Sequence, residues 1–521
     1  MRIIYCFAFT CTLLGCNRPA TDNSVPASTT ATAEYAPPAF NDTGRLERIK
    51  AAIPAVDKIF NDHFKTGHFP GISYALVVDG NTVHANAFGV ADVKLMTQAT
   101  PQTGFRIASM SKSFTALSIL KLRDEGKLSL ADPVSKFIPE IANVKKLTAD
   151  APAITVENLL TMSAGFPEDN PWGDRQLADT DEELIALVRD GISFSNVPGV
   201  EFEYSNLGFG MLGRIITVVS GKPYEQYINE NVLQPLGMND SKWEYTDVPK
   251  EKFAPGYRWE DGQWREEPIL HDGIFGAMGG LTCSAEDFAK YVAFHLAAWP
   301  PRNDEESPVA RRSTVREMHQ LQRFGGLAAQ GKNSLGQPCP SIGGYGYGLG
   351  YRRDCSGLVS IRHGGGLPGY GSEWRFYPEL GIGIVSLSNL TYGGMGSANF
   401  RALDTLITLA KLKPRELPAS GILEQRKKEI EALIPDWSKE KLNIFAENFF
   451  LDFNVEARKK STDEIFGQAG KIIKVGAMMP ENQLRGSFIM EGEKRDVTVF
   501  FTLTPEGNPL IQQLDFTLID K

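Results

Sequence analysis

Ser109 and Lys112 stand three residues apart at the head of FRIASMSKSFTALSILKL (residues 105–122), a run that is otherwise almost wholly apolar. On a helix that spacing puts both side chains on one face, one turn apart. A serine hydroxyl is a poor nucleophile until a neighbouring base takes its proton. A lysine can be that base when burial or nearby positive charge lowers its pKa towards neutral, and a helix N-terminus supplies a positive field for a developing oxyanion. The same two residues also suit a purely structural role, a serine helix cap followed by a snorkelling lysine. Two further stretches bear on that choice. EFEYSNLGFGMLGRII places Tyr204 and Asn206 two apart just before an apolar helix, and RHGGGLPG places His363 beside Gly364, Gly365 and Gly366 at the end of a predicted strand. Glycines in such a strand let another backbone approach closely.

The elements that must position these residues follow from the pattern along the chain. A sustained globular pattern starts at Arg45, and GISYALVVDG with NTVHANAFGVAD predicts two paired strands around the Asp79-Gly80 turn. The helix opened by Ser109 stops near Gly126. Residues 154–280 read as mostly helical, and residues 345–390 return to strands: GYGYGLGYRR, GLVSIRHGGG, YGSEWRFYPE and LGIGIVSLSN. Phe400–Leu412 closes the pattern as a helix. Early strands, a helical middle and late strands predict an α+β fold over residues 45–412, an antiparallel sheet flanked by helices plus an all-helical subdomain. A Pro-bearing break at 413–421 separates it from residues 422–521. There, helical patterns at 422–433, 438–453 and 455–466 precede four strands, which predicts a small α+β domain.

The chain has 521 residues, 42% hydrophobic and 22% charged, which suits a soluble protein of two or three domains. A net charge of −9 offers no basic footprint for nucleic acid. MRIIYCFAFTCTLLGC has one early positive charge and an apolar run too short to span a bilayer, the layout of a secretory signal over residues 1–16. Residues 17–44, rich in Ser, Thr, Ala and Pro, form a flexible tether. Leu13-Leu14-Gly15-Cys16 also resembles the lipobox of bacterial lipoproteins. That resemblance implies acylation of Cys16, export to the periplasmic side of a bacterial envelope, and membrane contact through the lipid anchor alone. Outside the signal, Cys283, Cys339 and Cys355 remain. Cys339 and Cys355 flank a strand-like segment, so a disulfide between them is open in an oxidising compartment, but three free buried thiols are the simpler expectation. The histidines show neither HExxH nor HxH, so a zinc hydrolase has no ligand set.

Taken together, Ser109-x-x-Lys112, Tyr204-x-Asn206 and His363-x-Gly365 resemble, in this order, the three motifs of the penicillin-binding-protein-like serine hydrolases. That superfamily contains class C β-lactamases, DD-carboxypeptidases, D-aminopeptidases and esterases. ITVENLLTMSAGFP, PGVEFEYSNLGFGMLG, VLQPLGMNDS and GAMGGLTCSAEDFAKY are similar to its usual wording, and the similarity runs over about residues 45–412. The resemblance implies that Ser109 is the acylated nucleophile and Lys112 the base or cation beside it. Tyr204 would relay the proton to the leaving group, and Asn206 would hold Lys112 or the substrate amide. His363, Gly364 and Gly365 would face the substrate, and the N–H groups of Ser109 and Gly366 would form the oxyanion hole. No metal or organic cofactor is implied; the partner is a small-molecule ester, amide or D-amino-acid peptide.

One departure is informative. Gly364 stands where carboxypeptidases and β-lactamases usually carry a hydroxyl that binds the substrate's terminal carboxylate, which favours substrates lacking that group. Arg362 and Arg375 lie nearby and could compensate, but as strand arginines they read as surface charges. HGGG also resembles the oxyanion motif of α/β-hydrolase lipases, but no G-x-S-x-G follows it. Glu225 faintly resembles a class A β-lactamase motif and reads instead as part of a solvated helix face. The competing functional class is a non-catalytic sensor or peptidoglycan-binding module on the same fold. Residues 422–521 weakly resemble the nuclear-transport-factor-2-like group.

Overall fold

In GISYALVV, residues 71–78, every position is buried, and successive side chains feed two different cores. Ala75 and Val77 join one hydrophobic cluster, while Tyr74 and Leu76 join another. A strand covered on both faces needs this near-continuous apolar run instead of strict alternation. The computed structural model that shows this describes residues 35–333, 336–434 and 437–521. The expected signal at 1–16, its Cys16, and tether residues 17–34 lie outside the described residues.

The strand belongs to a nine-stranded antiparallel sheet. Its members are β1 (Gly71–Val78), β2 (Asn81–Asp92), β3 (Thr97–Gln98), β4 (Arg323–Ala328), β5 (Ser341–Tyr345), β6 (Gly350–Arg353), β7 (Val359–Leu367), β8 (Tyr370–Tyr377) and β9 (Ile382–Ser388). They lie in the order β3-β2-β1-β9-β8-β7-β6-β5-β4, so the first and last parts of the sequence meet at β1 and β9. On one face pack helices α1 (Arg45–Thr66) and α5 (Gly396–Leu409), through Ile49, Val56, Phe60, Leu403 and Leu406. The opposite face carries the larger core, with α2 (Lys112–Asp124), α3 (Asn206–Ser220) and α4 (Ala285–Ala297).

Residues 36–418 form one compact unit, and a second unit spans residues 419–521. In the second, α6 (Gly421–Leu433) and α7 (Val455–Ala469) accompany a five-stranded antiparallel sheet. The expected helix at 438–453 is two short 3₁₀ turns, Lys439–Ile444 and Glu447–Phe450. Their aromatics, Phe445 and Phe449, stack at 4.0 Å inside that unit's core. The sheet holds five strands instead of four, because Ile472–Val475 and Met479–Asn482 pair separately with Arg485–Gly492.

The cysteine expectation is corrected. Cys339 and Cys355 form a disulfide, and only Cys283 among the described cysteines is free and buried. The antiparallel register of β5 and β6 pairs Ile342 with Arg353 and brings the two flanks together, with the Cα atoms 5.1 Å apart.

Candidate active site

The hydroxyl residues of the 105–122 run are not alike. Ser111 Oγ donates to Ala108 O at 2.8 Å, Ser113 Oγ to Met110 O at 2.9 Å, and Thr115 Oγ1 to Ala277 O at 2.6 Å. Those three satisfy backbone. Ser109 instead sits in the 3₁₀ turn Ala108–Ser111 that leads into α2, and makes no side-chain cap there. The plain capping role does not apply to it. Its hydroxyl accepts from Lys112 Nζ at 3.0 Å and borders a cavity of about 880 Å³.

Lys112 is wholly buried. Its three N–H bonds go to Ser109 Oγ at 3.0 Å, Asn206 Oδ1 at 2.7 Å and Met278 O at 2.9 Å. Its ammonium also lies 4.9 Å from the centre of the Tyr204 ring. Burial brings its pKa down to about 7, against the partial opposition of the carboxylates of Asp174 and Asp169. A buried amine with that pKa is a competent base at neutral pH.

The second motif is placed by a helix start. Ser205 caps α3, its Oγ accepting from Gly208 N at 3.2 Å. The Asp169 carboxylate accepts from the backbone N–H of Asn206 at 2.6 Å and of Leu207 at 2.9 Å. These bonds satisfy helix-end donors that have no partner within the helix. Asn206, thus fixed at the first turn, turns its amide oxygen to Lys112 and donates through Nδ2 to Asn170 Oδ1 at 3.2 Å. It holds the lysine. Tyr204 borders the cavity together with Ser109, and burial pushes its phenol well above the usual range, so it stays protonated.

The third motif lies on β7. β6 pairs with it only as far as Arg362, so residues 363–367 pair with β8 alone. Side chains alternate along the strand. His363 and Gly365 face the serine side, and a Cβ at Gly365 would fall 2.3 Å from Ile107 O and from Ser372 Oγ. Only glycine fits there. His363 Nδ1 donates to Gly364 O at 2.6 Å, and its Nε2 accepts from the Tyr345 hydroxyl at 2.9 Å. Burial, reinforced by Lys112, lowers its pKa to about 3. It is therefore a neutral ring packed 6.3 Å from Tyr204 between centroids, and contributes no cation. A Cβ at Gly364 would meet nothing nearer than Ser372 O at 3.8 Å, so that position is open. Gly364, Gly365 and Gly366 all border the cavity together with Ser109 and Tyr204.

The arginine expectation is corrected for Arg375 and holds for Arg362, which is exposed. Arg375 is buried, not a surface charge, and its guanidinium donates to Glu373 Oε1 at 2.9 Å. Arg362, with Arg352, lines the cavity. Their strands run along its wall, which spacing alone did not reveal. The sequence reading also missed Asp169, Asn170, Asp174 and Tyr392. For the first three the available signal was the acidic PEDNPWGD preceding the second motif, which carries no fixed spacing to it; Tyr392, in NLTYGG after the last strand, had none.

Comparison with known proteins gives the family and the fold. The sequence profile of the beta-lactamase family matches residues 56–407. Protein flp of Staphylococcus aureus is 29% identical over 341 residues, covering 64% of this chain and 62% of that protein. The match thus spans less than two thirds of that relative's length. Beta-lactamase-like protein 2 of Dictyostelium discoideum is 31% identical over 257 residues, 48% of this chain and 46% of that one. Among solved structures, the octameric penicillin-binding protein homologue from Pyrococcus abyssi superposes with a TM-score of 0.56 at 24% identity, covering 90% of this chain and 98% of that one, a likeness of fold. On the profile match over most of its length, the chain belongs to the beta-lactamase family.

Proposed function

We propose that this protein is an exported serine hydrolase that cleaves an ester or amide through an acyl-enzyme on Ser109, in the manner of esterases or D-amino-acid peptidases. The observation that carries the reading is the Lys112 amine, 3.0 Å from Ser109 Oγ and brought by burial to a pKa of about 7. Neutral Lys112 takes the Ser109 proton as Oγ bonds to the carbonyl carbon, and the oxyanion rests on the N–H groups of Ser109 and Gly366. Tyr204, protonated and with its ring 4.9 Å from the Lys112 amine, gives its proton to the departing alcohol or amine and is reprotonated from Lys112. Water then releases the acyl group by the reverse relay. Asn206 and Met278 O keep the amine aimed throughout.

Open space at Gly364 supports substrates without a terminal carboxylate. The signal-like residues 1–16, the lipobox-like Cys16 and the Cys339–Cys355 disulfide support an exported, lipid-tethered protein. The test is intact-mass analysis of the signal-less protein after separate incubation with a fluorophosphonate, a penicillin and a short p-nitrophenyl ester. A fluorophosphonate adduct at Ser109 with ester turnover, both abolished in Ser109→Ala, is expected. A stable penicilloyl adduct would move the protein to the penicillin-recognising branch. Absence of both labelling and turnover would sink the mechanism in favour of a binding module.

A further inference from the structure

Asp174 is 2% exposed and lines the cavity that contains Ser109, the only acid among the described residues that does so. Its Oδ2 accepts from the Tyr392 hydroxyl at 3.0 Å, whereas its Oδ1 is buried with no hydrogen-bond partner. A carboxylate oxygen withdrawn from water and left without a donor is costly. The protein's own cations do not supply that donor. All three N–H bonds of Lys112 are already directed elsewhere. Arg106 borders Asp174 across a smaller pocket of about 50 Å³, yet two of its nitrogens and Asp174 Oδ1 remain unpartnered. Its third nitrogen donates to Leu270 O, and its field acts on Asp272.

Tyr392 fixes where this carboxylate sits. Its backbone adopts a left-handed φ of +50°, and its N–H bonds to Leu367 O and Tyr370 O at the β7–β8 turn. Its ring is close enough to Gly366 that a Cβ there would fall 2.7 Å from it. The Asp174–Tyr392 pair therefore stands beside the strand residue that the mechanism assigns to the oxyanion. We propose that Asp174 recognises a protonated amine on the substrate, so that the substrate class is aminoacyl esters or amides with a free amino group. An ammonium in the cavity would give the carboxylate a charge-assisted hydrogen bond once Oδ1, closed to solvent here, turns towards it. This proposal rests on the acyl-enzyme reading and names its acyl donor.

The experiment compares alanine benzyl ester with N-acetylalanine benzyl ester, in both enantiomers, as substrates of the signal-less protein and of Asp174→Asn. Removing a hydrogen bond between charged groups changes kcat/KM by about 10-fold to 100-fold. The wild type is expected to prefer the free amine by at least about 10-fold in one enantiomer, and the variant to lose that preference. In parallel, alaninamide should slow fluorophosphonate labelling of Ser109 in the wild type, and N-acetylalaninamide should not; this arm needs neither ester turnover nor a folded variant. Labelling without protection by alaninamide, no wild-type preference, or an equal preference in Asp174→Asn overturns the role of Asp174 alone. Absence of any labelling overturns the acyl-enzyme reading together with it.

Discussion

At the scale of single residues, the proposed mechanism turns on the charge state of Lys112. Burial dominates its pKa, and the two carboxylates at Asp174 and Asp169 keep it from falling further. Tyr204 is held protonated and His363 neutral by the same dry surroundings, so neither competes with Lys112 as the base at neutral pH. The sign of the pH dependence follows. Below its pKa Lys112 is an ammonium and cannot accept the Ser109 proton; above it the amine is free. The rate constant kcat/KM for a neutral ester should climb from pH 5 to 8 with a single apparent pKa near 7. Replacing Lys112 by Met should lower it by about 10²-fold to 10⁴-fold, the usual worth of a positioned base. A profile that is flat across this range, or that rises only above pH 9, would remove Lys112 from that role.

At the scale of elements, β7 shows how a strand partitions one motif into separate duties. Gly365 packs against the serine turn, His363 bonds to Tyr345 beside the Tyr204 ring, and Gly364 has room for a side chain. Gly364→Thr should therefore fold, and should raise turnover of substrates with a free carboxylate by about 10-fold relative to neutral esters. No relative gain would count against the idea that the missing hydroxyl shapes specificity. The strand pattern and all three motifs were legible in the sequence because each is local: alternation and continuity of apolar residues mark β1, β7, β8 and β9, and serine, tyrosine and histidine sit at fixed short spacings. Asp169 and Asp174 were not legible. They act through space on Asn206 and Tyr392, residues 37 and 218 positions away, and no local period links them. The disulfide was under-read for the same reason, since the β5–β6 register that closes it is a pairing and not a composition.

At the scale of the whole unit of residues 36–418, buried ionisable groups make stability depend on pH in opposing directions. His319 Nδ1 accepts from Trp299 Nε1 at 2.9 Å, and its Nε2 donates to His295 Nδ1 at 2.8 Å, both rings buried. Burial depresses the His319 pKa to about 3, and burial with the field of His319 drives that of His295 well below 6.5. A histidine whose folded pKa lies below its unfolded value stabilises fully above pH 6.5, and that stability is lost as pH falls towards the folded value. Asp272, raised by burial to about 7, and Asp174, raised to about 6, act in the other direction, because their folded forms take up protons before the unfolded chain does. The raw slope of stability against pH mixes these contributions, so the informative quantity is a difference between two proteins. In His319→Gln the amide oxygen can still accept from Trp299 and its N–H can still donate to His295, but the group no longer titrates. Each pH unit below 6.5 removes about 1.4 kcal/mol from a buried neutral histidine. Between pH 7.5 and 5.0 the stability gap between wild type and His319→Gln, measured by urea denaturation, should shift by about 2 kcal/mol in favour of the variant. A gap that stays constant over that range would mean that His319 accepts a proton in the folded protein as readily as in the unfolded chain, and that the Trp299–His319–His295 chain does not hold the ring neutral.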